Sequence, residues 1–282
     1  VPTVLSRRVD NPEPRWWAAV KYRLFDRVVA ISDKIRKVML SQGLAPEKLA
    51  LACSGVEFDK YCQYPTDVPW FEREFSLPSN SSTIGIVAQL IKRKGHRFLV
   101  DAMPDIVKSH PSAQLLIFGK GGLAQEIQQQ VDRLGLNDRV QLVGFRNDME
   151  KVLPYLDVLV HPAMMEGLGN GLLQAACAGV PIVASNVGGL PEVVQHEVNG
   201  LLVPPGDSEA IAQAVGRLLS SRELRAEMGQ KGRSHVRSRF SMESMVAGNV
   251  ATYCKLLNLS ESELSAAGKN EIALQTQGKH AA

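Results

Sequence analysis

Short runs rich in valine, isoleucine and leucine alternate with amphipathic stretches along most of this sequence, and that alternation restricts the possible folds. We predict strands at residues 3–6, 27–31, 49–53, 83–88, 114–118, 140–143, 158–161, 182–184 and 200–203. Helical spacing is clearest at 95–109, 123–134 and 207–219. Strands that alternate with helices form parallel sheets covered by helices on both faces. The sequence therefore predicts the α/β fold class.

One segment interrupts this alternation. Residues 61–82, YCQYPTDVPWFEREFSLPSNSS, are rich in proline, serine and aromatic side chains, and we interpret them as a linker between domains. Residues 1–60 then form a first domain with three predicted strands, which is a poor number for independent stability. Residues 83–240 form a second domain with six predicted strands.

Two further segments follow the second domain. A helix is predicted at 241–257, with Ser241 as its N-cap and Glu243 in its first turn. The polar residues 258–282 are predicted to form a flexible tail.

Cysteine usage and the absence of a long apolar run indicate the compartment. The four cysteines are not arranged in C-x-x-C pairs, which favours free thiols in a reducing compartment over a disulfide framework or a zinc site. No apolar run approaches the ~20 residues that span a bilayer, and the first residues lack the pattern of a secretory signal. We therefore expect a cytoplasmic protein.

The first part of the chain is basic. Residues 1–50 contain ten Lys or Arg and five Asp or Glu, although the net charge of the whole chain is only +3. Trp16 and Trp17 lie beside Arg15 and Lys21, a combination suited to peripheral contact with an anionic membrane at its inner face. The alternative is a solvated basic helix with its tryptophans in the core. No nucleic-acid-binding motif is present, so we expect no nucleic-acid partner.

The segment HPAMMEGLGNGLLQAACAGVPIVAS at 161–185 predicts a binding site. Glu166 follows a predicted strand, and the glycines at 167, 169 and 171 let the chain turn tightly into a helix. Ligands of open parallel sheets bind beyond the carboxyl ends of the strands. There the start of a helix offers unpaired N–H groups to a diphosphate, and small residues allow close approach. A glycine-rich turn that serves packing alone is the alternative.

A second segment supplies a cation. QLIKRKGH at 89–96 follows the predicted strand 83–88, so a Lys or Arg of this loop faces the same edge of the sheet. Such a cation could neutralise a departing diphosphate through charge-assisted hydrogen bonds. The alternative is a solvated basic loop.

These segments resemble the group 1 (family 4) retaining glycosyltransferases of GT-B fold. Within 83–203 the matching stretches are QLIKRKG, FGKGG, VGFRNDM, EGLGNGLLQAACAGVPIVAS, NVGGLPEVV and NGLLVPPGD, which resemble the C-terminal, nucleotide-sugar-binding domain. Residues 21–57 resemble the end of the N-terminal, acceptor-side Rossmann-like domain, and 241–257 resembles the helix that crosses back to it. The resemblance implies an N-terminal domain that is incomplete.

The resemblance also implies an activity and site residues. It implies transfer of a sugar from a nucleotide diphosphate sugar to a glycan or lipid-linked acceptor, for example lipopolysaccharide, with retention of configuration. No metal and no other cofactor is expected. Glu166 would bind sugar hydroxyls and Lys94 the diphosphate. The other implied donor contacts are the backbone of Gly167, Leu168, Gly169 and Asn170 at the phosphates, Phe145 and Arg146 at the base, and Gly119 and Lys120 in the cleft.

Two positions depart from the family pattern. The second of two glutamates is replaced by Gln174, which would hold ribose hydroxyls without a charge, and an arginine near the diphosphate is replaced by Gln89. With the incomplete N-terminal domain, these departures leave a second hypothesis open. In that hypothesis the chain is a non-catalytic nucleotide-sugar-binding fragment that needs its missing lobe.

A third hypothesis is a NAD-binding oxidoreductase. FGKGGLA at 118–124 matches a dinucleotide-binding fingerprint after a strand. However, the next predicted strand ends in Gly-Phe-Arg rather than in an acid placed for a ribose, which argues against this function. His96 and His161 are possible general bases, but we expect them to pack or to form hydrogen bonds.

Overall fold

The computed structural model describes residues 1–62 and 66–260 of the chain. Its strands are β1 (Val4–Arg7), β2 (Arg27–Ala30), β3 (Leu49–Leu51), β4 (Ser82–Val87), β5 (Ala113–Phe118), β6 (Val140–Gly144), β7 (Val158–His161), β8 (Ile182–Ser185) and β9 (Gly200–Val203). The strand pairs are parallel. The predicted α/β class with parallel sheets is therefore confirmed.

Helices connect these strands. They are α1 (Arg15–Lys21), α2 (Asp33–Ser41), α3 (Phe58–Tyr61), α4 (Val68–Glu74), α5 (His96–Ser109), α6 (Ala124–Arg133), α7 (Met149–Val152), α8 (Asn170–Ala178), α9 (Leu190–Val193), α10 (Ser208–Ser220), α11 (Arg222–Arg239) and α12 (Met242–Leu257). Among the described helices, none combines the length and the apolar character that crossing a bilayer requires.

The chain divides into two units. The first unit comprises 1–8, 12–53 and the described residues of 243–260, and its sheet has the order β1-β2-β3. Helix α12 packs on this unit closely, because a Cβ added to Gly248 would lie 3.0 Å from the Cβ of Ala52.

The second unit comprises 9–11 and the described residues of 54–242. Its sheet has the order β6-β5-β4-β7-β8-β9. Strands β5, β7 and β8 are buried along their whole length, as expected where helices cover both faces of a parallel sheet. The strand order reverses between β4 and β7, so the loops that leave these strands diverge. A crevice opens at the carboxyl edge of such a reversal, and it is the usual ligand site of this architecture.

The observed elements differ from the predicted ones in a few places. The predicted linker 61–82 contains α4, which starts where the carboxylate of Asp67 accepts a hydrogen bond from the N–H of Trp70 at 2.8 Å. Helix α11 was not predicted, because its buried face includes Gly229 and Gly232 in place of large apolar residues. Residues 63–65 of the predicted linker and 261–282 of the predicted tail lie outside the described residues.

Helix α11 packs against the end of α8. Arg233 donates hydrogen bonds from Nε and Nη2 to the carbonyl oxygens of Cys177 and Ala178, each at 2.9 Å. These carbonyls belong to the last turn of α8, whose carbonyl groups have no partner within the helix. The contact depends on a small residue, since a Cβ added to Gly229 would overlap the carbonyl oxygen of Gly179.

We expect G229A to lower the free energy of unfolding by about 1–3 kcal/mol, because the added methyl group overpacks this contact. G232A on the same helix is the matched control. Its added Cβ would lie 3.7 Å from the nearest atom, and alanine is favoured over glycine in a helix by roughly 1 kcal/mol. Urea unfolding followed by circular dichroism measures both variants, and equal stabilities would contradict the proposed overlap.

Candidate functional site

The predicted site residues follow four neighbouring strands of the second unit at one edge of its sheet. Each lies on the loop that leaves the carboxyl end of β4, β5, β6 or β7, or in the helix that follows. The predicted residues on these segments are Gln89 and Lys94 after β4, Gly119 and Lys120 after β5, Phe145 and Arg146 after β6, and Glu166 to Gln174 after β7.

Close backbone packing joins the loop after β4 to the loop after β7. Gly95 has a φ of +71°, and a Cβ at this position would overlap the carbonyl oxygen of Pro162. The N–H of Met164 donates to the carbonyl oxygen of Arg93 at 2.8 Å. These contacts bring the two loops side by side, and as a result Lys94 Nζ donates a hydrogen bond to Oε2 of Glu166. The sequence predicted that these two side chains face one crevice, and in the structure they form a hydrogen bond with each other.

Glu166 is a buried carboxylate with two partners. It is 8% exposed, and its Oε2 also lies 3.0 Å from Nε2 of His161. Burial alone would raise the pKa of Glu166, but the hydrogen bond with His161 and the positive charge of Lys94 outweigh burial and hold the pKa at about 2. The side chain is therefore ionised at neutral pH, which makes it a hydrogen-bond acceptor and a poor proton donor.

Two buried histidines lie close to the pair of Lys94 and Glu166. His161 is the last residue of β7 and is almost completely buried, and its burial lowers its pKa below the ordinary value. His96 is equally buried, and its pKa falls to about 4 through burial and through the nearby His161 and Lys94. Both imidazoles are neutral at pH 7. The sequence did not reveal the contact between His161 and Glu166, because a histidine at a strand end is usually a packing residue.

The start of α8 faces the same crevice. Gly169 has a φ of +88° and precedes the first helical residue, Asn170, which is exposed. The loop before it is fixed by the buried side chain of Leu168 and by the N–H of Gly189, which donates to the carbonyl oxygen of Glu166 at 3.0 Å. A helix start held in this way presents free N–H groups and a partial positive charge to an anion.

An apolar cavity of about 240 Å³ lies at the other side of the crevice. Phe145 is 65% exposed there, and the ammonium group of Lys120 lies 5.0 Å from the centre of its ring. The residues that line the cavity are Val87, Ala88, Gln89, Phe118, Gly119, Lys120, Phe145, Arg146 and Met149.

Arg146 lines this cavity but is engaged elsewhere. Its guanidinium group pairs with Asp148 through two hydrogen bonds, at 2.8 and 2.7 Å, and also with Glu74. These hydrogen bonds raise the pKa of Arg146 further above its ordinary value. The guanidinium charge is thus neutralised by two carboxylates.

Gln174 on α8 has a partner that the sequence did not suggest. Its Nε2 donates a hydrogen bond to the hydroxyl oxygen of Tyr61 at 2.9 Å. Tyr61 belongs to α3, which contacts α8. No motif marks this tyrosine, because it lies far from the donor-site motifs in the sequence.

Carboxylate, imidazole and thiolate side chains are common protein ligands of metal ions. Within residues 1–62 and 66–260, no group of three or more His, Cys, Asp or Glu side chains is arranged to hold a metal ion.

Comparisons with known proteins agree on one family. The family model described as glycosyl transferases group 1 matches residues 70–235. An uncharacterized glycosyltransferase of Methanocaldococcus jannaschii is 30% identical over 233 residues, which cover 80% of this chain and 59% of that protein. The GDP-mannose-dependent alpha-(1-6)-phosphatidylinositol monomannoside mannosyltransferase of Mycobacterium tuberculosis is 30% identical over 231 residues, 79% of this chain and 60% of the relative. The chain thus spans about 60% of the length of these relatives.

Solved structures give the fold. The crystal structure of Anabaena HepE in complex with UDP and glucose has a TM-score of 0.81 at 24% identity and covers 92% of this chain and 72% of its own. The C-terminal domain of a group 1 glycosyl transferase of Francisella tularensis has a TM-score of 0.60 at 25% identity, over 67% of this chain and 100% of that domain. The predicted GT-B type of fold is confirmed by these likenesses.

The lowered pKa of Glu166 predicts how stability depends on pH. A carboxyl group whose pKa falls on folding stabilises the protein above its unfolded pKa, and that stabilisation is lost as the pH falls toward the folded pKa. For Glu166 the loss occurs between pH 4.5 and about 2. We expect E166Q to be less stable than the parent chain at pH 6 and the difference to shrink at pH 3.

Urea unfolding at the two pH values measures this difference. E126Q on the exposed surface of α6 is the control, and its stability should follow that of the parent chain at both pH values. A difference between E166Q and the parent that is equally large at pH 3 and pH 6 would contradict the ion pairing of Glu166.

Proposed function

The chain belongs to the group 1 glycosyl transferases, and from that premise we propose that it is the donor-binding part of a hexosyltransferase. The enzyme transfers a sugar from a nucleotide diphosphate sugar to an acceptor. The observation that carries the proposal is the convergence of Lys94 and Glu166 in one crevice, beside the glycine-preceded start of α8. This arrangement combines a cation and free N–H groups for phosphate with an acceptor for sugar hydroxyls.

Each part of the donor meets a different part of this edge. Lys94 binds the diphosphate together with the backbone N–H groups at the start of α8. Glu166 accepts hydrogen bonds from sugar hydroxyls, and Gln174 does the same for ribose hydroxyls. The base occupies the apolar cavity. The residues assigned to the phosphates are Gly167, Leu168, Gly169 and Asn170 through their backbone, and those assigned to the base and the cleft are Gln89, Gly119, Lys120, Phe145 and Arg146.

Charge stabilisation is the proposed source of catalysis. As the bond between the sugar and the diphosphate breaks, negative charge builds on the departing phosphate oxygens, and preorganised cationic and N–H groups stabilise it. Lys94 and the start of α8 supply these groups without a metal. Glu166, with a pKa of about 2, binds rather than transfers protons. We assign no enzymic nucleophile, and we propose that the configuration of the sugar is retained.

The acceptor and the completeness of the machinery are further parts of the proposal. The relative in Mycobacterium tuberculosis is named for a mannosylated phosphatidylinositol acceptor, and a glycan or lipid-linked acceptor, such as a bacterial surface glycan, fits the same family. Because the chain spans about 60% of such relatives, a second candidate function is a donor-binding module that requires the rest of the GT-B fold for transfer. The two candidates differ in whether this chain alone transfers sugar.

A thermal-shift panel tests donor binding. We expect UDP, GDP or ADP at 100 times its Kd to raise the Tm by roughly 5–10 °C, because a ligand that binds only the folded state stabilises it by about 2.7 kcal/mol. K94A should weaken that ligand at least about tenfold, since hydrogen bonds to charged groups contribute about 1.5–3 kcal/mol. K108A, which removes an exposed lysine of α5, is the control.

Two results would overturn the assignment. Equal affinity in K94A and K108A would remove Lys94 from the site. A rise in Tm with NADH, and none with the three nucleotides, would favour the oxidoreductase hypothesis instead.

We also propose that the first unit contacts an anionic membrane at its inner face. Trp16, Trp17 and Val20 on α1 and Leu24 just after it are 71%, 46%, 55% and 73% exposed. The alternative that buries the tryptophans in the core is therefore wrong. Positions 16 and 20 lie one turn apart on α1, and the arginines at 15 and 23 are adjacent in sequence to Trp16 and Leu24. Exposed aromatic and aliphatic side chains among arginines match the interface of an anionic bilayer.

Vesicle co-sedimentation tests this surface. We expect the chain to bind phosphatidylglycerol-containing vesicles and to bind them less at high salt, because salt screens charge. We expect no binding to purely zwitterionic vesicles. The variant W16A/W17A should bind at least about a hundredfold more weakly, since each of the two large apolar side chains contributes about 1.5 kcal/mol or more on burial. Y253A, which removes an exposed aromatic side chain of α12, should bind like the parent. Equal binding to both kinds of vesicle would contradict the proposal.

A further inference from the structure

The carboxylate of Glu166 has two partners of unlike mobility. Lys94 reaches it from a loop through a long, flexible side chain. His161 reaches it from the last position of β7, where its backbone pairs with Ala184 of β8 and its side chain is 3% exposed. The imidazole is confined by the sheet and its packing, whereas the ammonium group can move.

The direction of the hydrogen bond between His161 and Glu166 follows from their charges. An ionised carboxylate can only accept, so Nε2 of His161 must carry the proton and donate it at 3.0 Å. The other ring nitrogen, Nδ1, is buried and has no hydrogen-bond partner within the described residues. The imidazole therefore makes one directed contact, and that contact is with Glu166.

Donor binding makes competing demands on this pair. In the proposed function Lys94 binds the diphosphate and Glu166 binds the sugar, yet in the structure the two are bonded to each other. When the diphosphate attracts Lys94, Glu166 loses one partner while it must still present its oxygens to the sugar. A buried carboxylate without a fixed partner would lose both solvation and orientation.

We propose that His161 is a positioning residue of the donor site, whose imidazole holds the Glu166 carboxylate in place when Lys94 transfers to the diphosphate. The inference rests on the proposed function, because it concerns the same donor. His161 acts through Glu166 and does not touch the substrate. Its contribution is to the sugar part of the donor and not to the nucleotide part.

The test separates these two parts of the donor. Calorimetric titration gives the Kd of UDP and of UDP-glucose, or of GDP and GDP-mannose. The Kd of the nucleoside diphosphate divided by the Kd of its nucleotide sugar is the ratio that measures how much the sugar adds to binding. In H161L we expect the nucleotide sugar to bind about tenfold more weakly, the effect of losing a hydrogen bond to a charged group, while the nucleoside diphosphate binds as before. H161Q, whose amide N–H can replace Nε2–H, should restore most of the ratio.

A double-mutant cycle tests whether His161 acts through Glu166. In an E166Q background the substitution H161L should cause no further loss, because the carboxylate on which His161 acts is already absent. H96L is the matched control for losing a buried imidazole, since neither ring nitrogen of His96 has a hydrogen-bond partner in the described part of the chain. H161N, too short to reach Glu166, replaces H161L if the latter does not fold.

The pH dependence of the ratio gives a readout that packing alone would not move. Lys94, Arg93 and His96 are the other charged or titratable groups around His161 and Glu166. Without the hydrogen bond from His161, the pKa of Glu166 should rise. The ratio for H161L should then fall as the pH is lowered from neutral, while the ratio for the parent stays level.

Each result decides between the inference and its premise. Parent-like binding in H161L, equal weakening of nucleotide and nucleotide sugar, or additive losses with E166Q would each overturn the role of His161. If the parent binds none of UDP, GDP and ADP, or if E166Q leaves the ratio unchanged, the proposed function fails first. A lowered ratio in H161L and in E166Q, with non-additive losses, supports both.

Discussion

The hydrogen-bonded ion pair between Lys94 and Glu166 is the interaction on which the site depends. Their side chains are only 12% and 10% exposed, so each has lost most of its hydration. A buried charge is stable only with a partner of good geometry, and each of these groups provides it for the other. The cost of removing water from Lys94 is therefore already met in the folded chain. In the proposed function, a diphosphate that replaces the carboxylate as its partner meets a cation that is already desolvated, which favours strong electrostatic stabilisation.

Lys94 and Glu166 are brought together by backbone packing between their loops and not only by the length of their side chains. The loop that carries Lys94 touches the loop that carries Glu166 through Gly95 and Pro162, where any side chain at position 95 would overlap the carbonyl oxygen. The loop of Glu166 is held in turn by the N–H of Gly189. The loop after β7 is thus in direct backbone contact with the loops after β4 and β8. Such contacts limit how far Lys94 and Glu166 can separate, and they explain why the glycines of this edge recur beside its charged residues.

The sequence predicted the parts of the molecule that follow from strand order and failed on those that follow from side-chain pairing. Alternating apolar runs located the nine strands within about two residues of their observed positions, and topology then indicated that Lys94 and Glu166 share one edge. By contrast, the sequence did not indicate that Glu74 and Asp148 bind the guanidinium group of Arg146, which stays a predicted contact of the base. Nothing in the spacing of Glu74, Tyr61 or His161 marks their partners. Helix α11 was not predicted from the sequence, because glycines take the place of large apolar residues on the buried face from which a helix is recognised.

The neutral side chain at position 174 fits this electrostatic arrangement. The family pattern that the sequence resembles has a glutamate there, whereas this chain has a half-buried, neutral glutamine. Gln174 instead donates its Nε2–H to Tyr61, which leaves its carbonyl oxygen as an acceptor for a hydroxyl. In the proposed function, glutamine in place of glutamate removes a negative charge from the donor site and keeps the acceptor. The chain also has Gln89 where the family pattern has an arginine, so one charge of each sign is missing relative to that pattern. The charge balance of the crevice is therefore the same as in the pattern, and in the proposed function the binding of a phosphate rests more heavily on Lys94 and on the start of α8.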